Sequence, residues 1–107
     1  VCSGDLQLDE LLKRIQASPL WNSSVIIVTS DENGGFWDHV APPRADRWGP
    51  GSRIPAIIVS PFARRGYVDH TLYDTTSILK LITRRFDLEP LPGARPMMGD
   101  LTNALAL

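Results

Sequence analysis

Two unbroken β-branched runs, Val25-Ile26-Ile27-Val28-Thr29 and Ala56-Ile57-Ile58-Val59-Ser60, constrain the fold of these 107 residues more than any other feature. A strand with one face in water alternates apolar and polar side chains. Continuous apolarity instead predicts cover on both faces, as at the centre of an α/β sheet. Pro55 at the entry and Pro61 at the exit bound the second run. Two strands of this kind do not make a self-sufficient sheet, because each presents open backbone edges and an uncovered apolar face. The pattern predicts that neighbouring strands come from sequence outside this chain or from a second copy of it. Self-association through open strand edges is therefore an expectation.

The flanking segments read as helices. Leu8, Leu11, Leu12 and Ile15 recur at i, i+3, i+4 and i+7, which predicts a helix over 6–17 with Asp5 as N-cap and Ser18-Pro19 as its end. Ile78, Leu79, Ile82 and Phe86 form a second stripe, with Asp74, Thr75 or Thr76 as cap and the basic pair Arg84-Arg85 near the C-terminal end. Both stripes read as core. From Phe36 to Ser52 the sequence is aperiodic and holds three prolines, two glycines and two tryptophans, which predicts a long loop. Loops of that length within compact domains are usually functional. The tail from Glu89 to Leu107 is rich in Pro and Gly, with one helical turn expected at Asp100–Ala106. The order helix, strand, loop, strand, helix makes the fold class α/β. The chain reads as a single, partial domain over 1–107, with two central-type strands and two main helices.

Composition excludes several functions. With 11 basic and 12 acidic side chains the formal charge is -1, which gives no overall pull toward nucleic acid. The eight arginines between Arg44 and Arg95 read as solvated surface. No apolar run approaches the roughly 18 residues of a membrane span. Cys2 is the only cysteine, so no intrachain disulfide can form. The chain starts at Val1 without Met, as a cut-out segment or a processed product would.

The chemistry concentrates in Thr29-Ser30-Asp31-Glu32-Asn33-Gly34-Gly35-Phe36-Trp37-Asp38-His39. Within a strand Asp31 and Glu32 would point to opposite faces. Past its carboxyl end the backbone can curl, and Gly34-Gly35 permits dihedrals that other residues resist. Both acids can then converge in the crevice where open α/β sheets bind ligands. A divalent cation relieves the repulsion of two such carboxylates, and His39 could add a nitrogen. The plain alternative is a pair of loop acids satisfied by backbone amides and solvent, and spacing alone leaves both open. An EF-hand does not fit, since the sixth position from Asp31 is Phe36 rather than Gly, and no phosphate-cradling P-loop occurs.

Thr29 through Pro43 closely resembles the D-E-x-G-G-x-x-D-H-V-x-P-P signature of the bacterial phosphoesterase family of acid phosphatases and phospholipases C. Gly51 through Pro61 resembles its next block, G-x-R-[IV]-P-x-[IV]-[IV]-[IV]-S-P, and Gly66–His70 and Tyr73–Leu79 continue the match in order. The resemblance spans about residues 6 to 94. It implies the C-terminal portion of an alkaline-phosphatase-like α/β/α sandwich with metal at the strand ends. It further implies that Asp31 and Glu32 are metal ligands of unknown metal identity, with Asp38 and His39 nearby as substrate or outer groups. Arg53 is a candidate phosphate contact or equally a structural ion pair, and His70 reads as a surface or loop-anchoring His, with contact to the metal as the alternative. The family's Ser or Thr nucleophile belongs to its N-terminal part, so no catalytic residue is assigned here and the isolated chain is expected to be inactive. Thr75 stands where many phospholipase-like members carry His. Together with Leu88–Gly93 it points to the acid-phosphatase-like branch, with a phospholipase C fragment as the alternative. Family members are commonly exported, which implies a periplasmic or secreted protein. Trp37 and Trp48 read as loop packing.

Overall fold

The computed structural model describes residues Cys2–Leu107. Helix α1 runs Cys2–Gln16, four residues ahead of the expected start, so Asp5 lies inside its first turn rather than at the cap. A carboxylate there still complements the positive end of the helix. Lys13 pairs with Asp9 at 2.7 Å one turn back. Ser18 then caps a short 3-10 turn, Pro19–Ser23, by accepting from the Leu20 amide at 3.0 Å. Trp21 is half-buried in that turn.

The two apolar runs form strands β1, Ile26–Thr29, and β2, Ala56–Val59. They pair antiparallel, with Ile26 opposite Val59 and Thr29 opposite Ala56. Alternation puts Ile27, Thr29, Ala56 and Ile58 on one face, and Ile26, Val28, Ile57 and Val59 on the other. No strand residue is fully buried, and Ile57 is 59% exposed. Full cover on both faces is thus absent among the described residues, because two strands and two helices supply no layer for either face.

Helix α2, Thr76–Phe86, follows the predicted stripe. Thr75 occupies the cap position without a side-chain hydrogen bond. Asp74 does that work: its Oδ1 accepts from the Thr76 amide at 2.8 Å and from the Thr76 hydroxyl at 2.5 Å. Ser77 Oγ reciprocates by accepting from the Asp74 amide at 3.1 Å, and Ser77 is completely buried. Asp87 ends the helix in the left-handed region at φ 50°. The expected burial of the helical stripes is not met: Leu11, Leu79, Ile82 and Phe86 stay exposed, and α1 has no buried residue.

Instead, the buried apolar side chains are Met98, Leu101 and Leu105, all in the Pro- and Gly-rich tail. The tail folds back on the segment between β2 and α2. Arg64 N–H donates to Ala104 O at 3.0 Å, Ala106 N–H to Phe62 O at 2.7 Å, and Gly99 N–H to Leu72 O at 2.9 Å. The expected last turn is a 3-10 turn at Thr102–Ala104.

Candidate functional site

The position of Asp31 follows from the end of β1. Thr29 Oγ1 donates to Pro55 O at 2.8 Å, which ties the strand end to the chain entering β2. The backbone then turns through Asn33, whose side chain accepts from Gly35 N–H at 3.3 Å and donates to Phe36 O at 3.2 Å. Gly34 and Gly35 adopt φ of 61° and 78°, the left-handed region that the paired glycines were expected to supply. Asp31 Oδ1 accepts the neighbouring Glu32 N–H at 2.9 Å. Among the described residues neither Asp31 nor Glu32 has a basic side chain within ion-pair distance, and both are exposed.

Both acids line one open cleft of about 980 Å³. Its floor is the Ile27–Ile58 face of the sheet, and Trp48, Arg53, Asp74 and Arg95 contribute to its walls. Asp69 and Arg64 line it too, so its charged lining comprises four carboxylates and three guanidiniums. Most of these charges are committed elsewhere. Arg95 is paired with Asp74, Asp69 is held by Tyr73, and Arg64 Nε donates to Leu105 O. The uncommitted negative charge is therefore that of Asp31 and Glu32, on the rim where two hard oxygen donors suit a divalent cation. No group of three or more His, Cys, Asp or Glu is close enough to hold a metal among the described residues. Two carboxylates are fewer donors than a complete coordination shell needs.

The remaining candidates divide. Arg53 lines the cleft, and its Nε lies 3.4 Å from Asp38 Oδ2, so both are partly engaged with each other. That pair closes the base of the long β1–β2 connection. Asp38 Oδ1 also accepts Val40 N–H at 2.9 Å and lies 3.8 Å from His39 Nδ1. His39 and His70 are exposed and outside the cleft lining. Trp37 and Trp48 do not pack within the loop: they are 90% and 79% exposed. Trp48 lines the cleft with the Arg47 guanidinium 4.3 Å over its ring.

Sequence reading missed the polar network that anchors the cleft's far wall. Asp69 accepts from Tyr73 Oη at 2.6 Å, from Thr71 N–H at 2.9 Å and from Asn103 Nδ2 at 2.9 Å. Burial pushes the Asp69 carboxyl up, but these bonds outweigh it and leave it at about 2. Burial and the Asp69 charge together push Tyr73 up to about 12. Asp100, bonded by Thr102 and paired with Arg84 at 2.6 Å, also falls to about 2. Only the Gly66–His70 and Tyr73–Leu79 blocks hinted at this region; no spacing linked it to the tail.

The Phosphoesterase family model matches residues 1–89. The chain is 30% identical to a non-hemolytic phospholipase C of Burkholderia pseudomallei, over 94% of this chain and 19% of that protein. It is 32% identical to phospholipase C A of Mycobacterium tuberculosis, over 97% of this chain and 25% of that protein. Non-specific phospholipase C6 of Arabidopsis thaliana is 30% identical over 82% of this chain and 22% of its own length. The chain thus spans about a fifth to a quarter of the length of these relatives.

Proposed function

Because the chain belongs to the phosphoesterase family, we propose that it supplies part of the metal site of a metal-dependent phosphoester hydrolase, through Asp31 and Glu32. One observation carries this reading. The two acids sit past the tip of β1 on the rim of a single cleft, and among the described residues no basic side chain lies within ion-pair distance of either. A divalent cation bound there would stabilise charge on the ester's non-bridging oxygens and lower the pKa of an attacking hydroxyl. Asp31 and Glu32 would orient it, and Arg53 on the same cleft wall would bind a phosphate oxygen when its weak Asp38 pair opens.

The attacking hydroxyl comes from outside these residues in this reading. Thr76 and Ser77 are poor candidates, since both hydroxyls are engaged with Asp74 and Ser77 is fully buried. The chain by itself is accordingly expected to hydrolyse neither p-nitrophenyl phosphate nor p-nitrophenylphosphorylcholine. For the substrate, the relatives' names favour a phosphodiester of the phospholipase C type. Thr75, exposed on the cleft lining, is the residue that favours the acid-phosphatase-like branch.

The deciding experiment is a titration of the chain with Mn2+ followed by amide NMR. Paramagnetic broadening should appear first at residues 31–35 and vanish in the Asp31→Asn/Glu32→Gln double variant. Broadening that starts elsewhere, or that the double variant retains, would remove the metal assignment.

A further inference from the structure

Arg95 lies beyond the residues matched by the family model, yet it reaches both Asp46, 49 residues away in sequence, and Asp74 on the cleft lining, 21 residues away. Its Nε donates to Asp46 Oδ2 at 2.8 Å and its Nη2 approaches Asp46 Oδ1 at 3.4 Å. Its Nη1 donates to Asp74 Oδ2 at 2.6 Å. The Arg95 side chain is only 17% exposed and that of Asp74 only 3%. We propose that Arg95 is a clamp that fastens the long β1–β2 connection to the N-terminus of α2 and so fixes part of the lining of the cleft that Asp31 and Glu32 also border.

Each end of this clamp is itself held. Asp46 anchors a tight turn: its N–H donates to Gly49 O at 3.0 Å, and its Oδ1 accepts Trp48 N–H at 2.7 Å. Fixing Asp46 therefore fixes Trp48 on the cleft lining. Gly49 makes room, since a Cβ there would lie 3.4 Å from Arg95 Nη2 in a backbone at φ 148°. Asp74 is the acid that caps α2. Lys80, one turn into α2, donates to the carbonyl oxygens of Arg95 and Met98, so the arginine's backbone is tied to the same helix. A bidentate fork that spans two carboxylates suits arginine, whose five donors lie in one plane, and not lysine.

Charge decides between a positioning role and direct binding of phosphate. One guanidinium between two carboxylates leaves a net charge of -1, which repels an anion. Both acids are held below the ordinary carboxylate range: Asp46 mainly by the Arg95 bond, and Asp74 by its Thr76 and Arg95 bonds, which outweigh its burial. The clamp itself stands on these contacts alone. Its consequence for a bound cation rests on the reading of Asp31 and Glu32 given above.

Site-resolved trypsin cleavage of the whole chain, followed by mass spectrometry, tests the clamp without any metal, so it stands or falls separately from that reading. Proteolysis of a segment that opens locally follows the population of the open form. In Arg95→Met and in Asp46→Asn, cleavage after Arg44 and Arg47 should rise roughly tenfold, with cleavage after Lys13 and Arg14 in α1 unchanged. Arg95→Lys should restore only part of the protection. Asp46→Asn cuts the loop arm while leaving the Arg95–Asp74 arm in place, so it reports on the loop even if Arg95→Met unfolds. Equal acceleration at all four sites in Asp46→Asn, or no acceleration after Arg47 in either variant, would overturn the proposal.

Discussion

At the scale of single residues, the sharpest steric demand is at Gly99. A Cβ placed there would lie 2.6 Å from Tyr73 Cε1 and 2.9 Å from Thr71 Cγ2. Neither neighbour can yield freely. Tyr73 is bonded to Asp69, and the Gly99 amide is fixed on Leu72 O. Gly99→Ala should therefore cost about 1–3 kcal/mol, the usual range for overpacking a close contact. Thermal or urea unfolding would measure it, and an unchanged midpoint would mean that the tail shifts without penalty. The same scale separates what the sequence made legible from what it did not. Gly34 and Gly35 were readable because a turn straight after a strand needs positive φ locally. Arg95 was not, because its partners lie 49 and 21 residues away and nothing periodic marks them. Its arginine looks in sequence like any of the eight from Arg44 onward. Asp74 was readable only as one of three cap candidates; that its other oxygen holds Arg95 belongs to tertiary structure.

Among the elements, the tail rather than either helix organises the described residues. Besides its backbone bonds to the 62–74 segment, the tail is held through two carboxylates that are more acidic than usual, Asp69 by Asn103 and Asp100 by Arg84, which predicts how the tail responds to pH. Asp69 and Asp100 titrate at about 2 here, against 3.8 without these partners. The stability they contribute is complete above about 3.8 and is lost as the pH falls toward 2. Tyr73 works in the opposite sense. Raised from 10.0 to about 12, it contributes below pH 10 and loses that contribution as the pH passes 12. Amide exchange at 98–105 should thus stay slow from pH 4 upward and accelerate between pH 4 and 2, relative to the intrinsic rate. Tyr73→Phe removes one donor from Asp69, so the folded carboxyl moves back toward 3.8 and the acid-dependent loss should be smaller and finish at a higher pH. A loss of unchanged size and range would show that the Tyr73 bond adds nothing to the tail. The strands were legible as elements because β-branched runs declare themselves. Their antiparallel pairing and uncovered faces were not, since local apolarity says that a strand wants cover without saying what provides it.

For the molecule as a whole, surface is the governing quantity. A globular protein of 11.8 kDa exposes about 5,900 Å², whereas this chain exposes 8522 Å². Its radius of gyration is 15.2 Å, against about 13 Å for a compact chain of this length. The excess of about 2,600 Å² is comparable with what one partner contributes to a large permanent interface. It lies on both faces of the sheet and along both helices, so an isologous contact through one face would leave the other open. Burying apolar area yields roughly 25 cal/mol per Å², enough at this scale to drive association even after losses of motional freedom. The isolated chain should consequently sediment above 11.8 kDa at tens of micromolar and bind a hydrophobic dye such as ANS. Ile57→Lys places a charge on the exposed Ile26–Val59 face of β2. If that face carries the contact, this variant should shift sedimentation toward monomer while Lys13→Glu, on the polar side of α1, does not. A wild-type chain that remains monomeric at millimolar concentration without binding dye would mean that the open strands tolerate water, and that their β-branched runs are not waiting for a second layer.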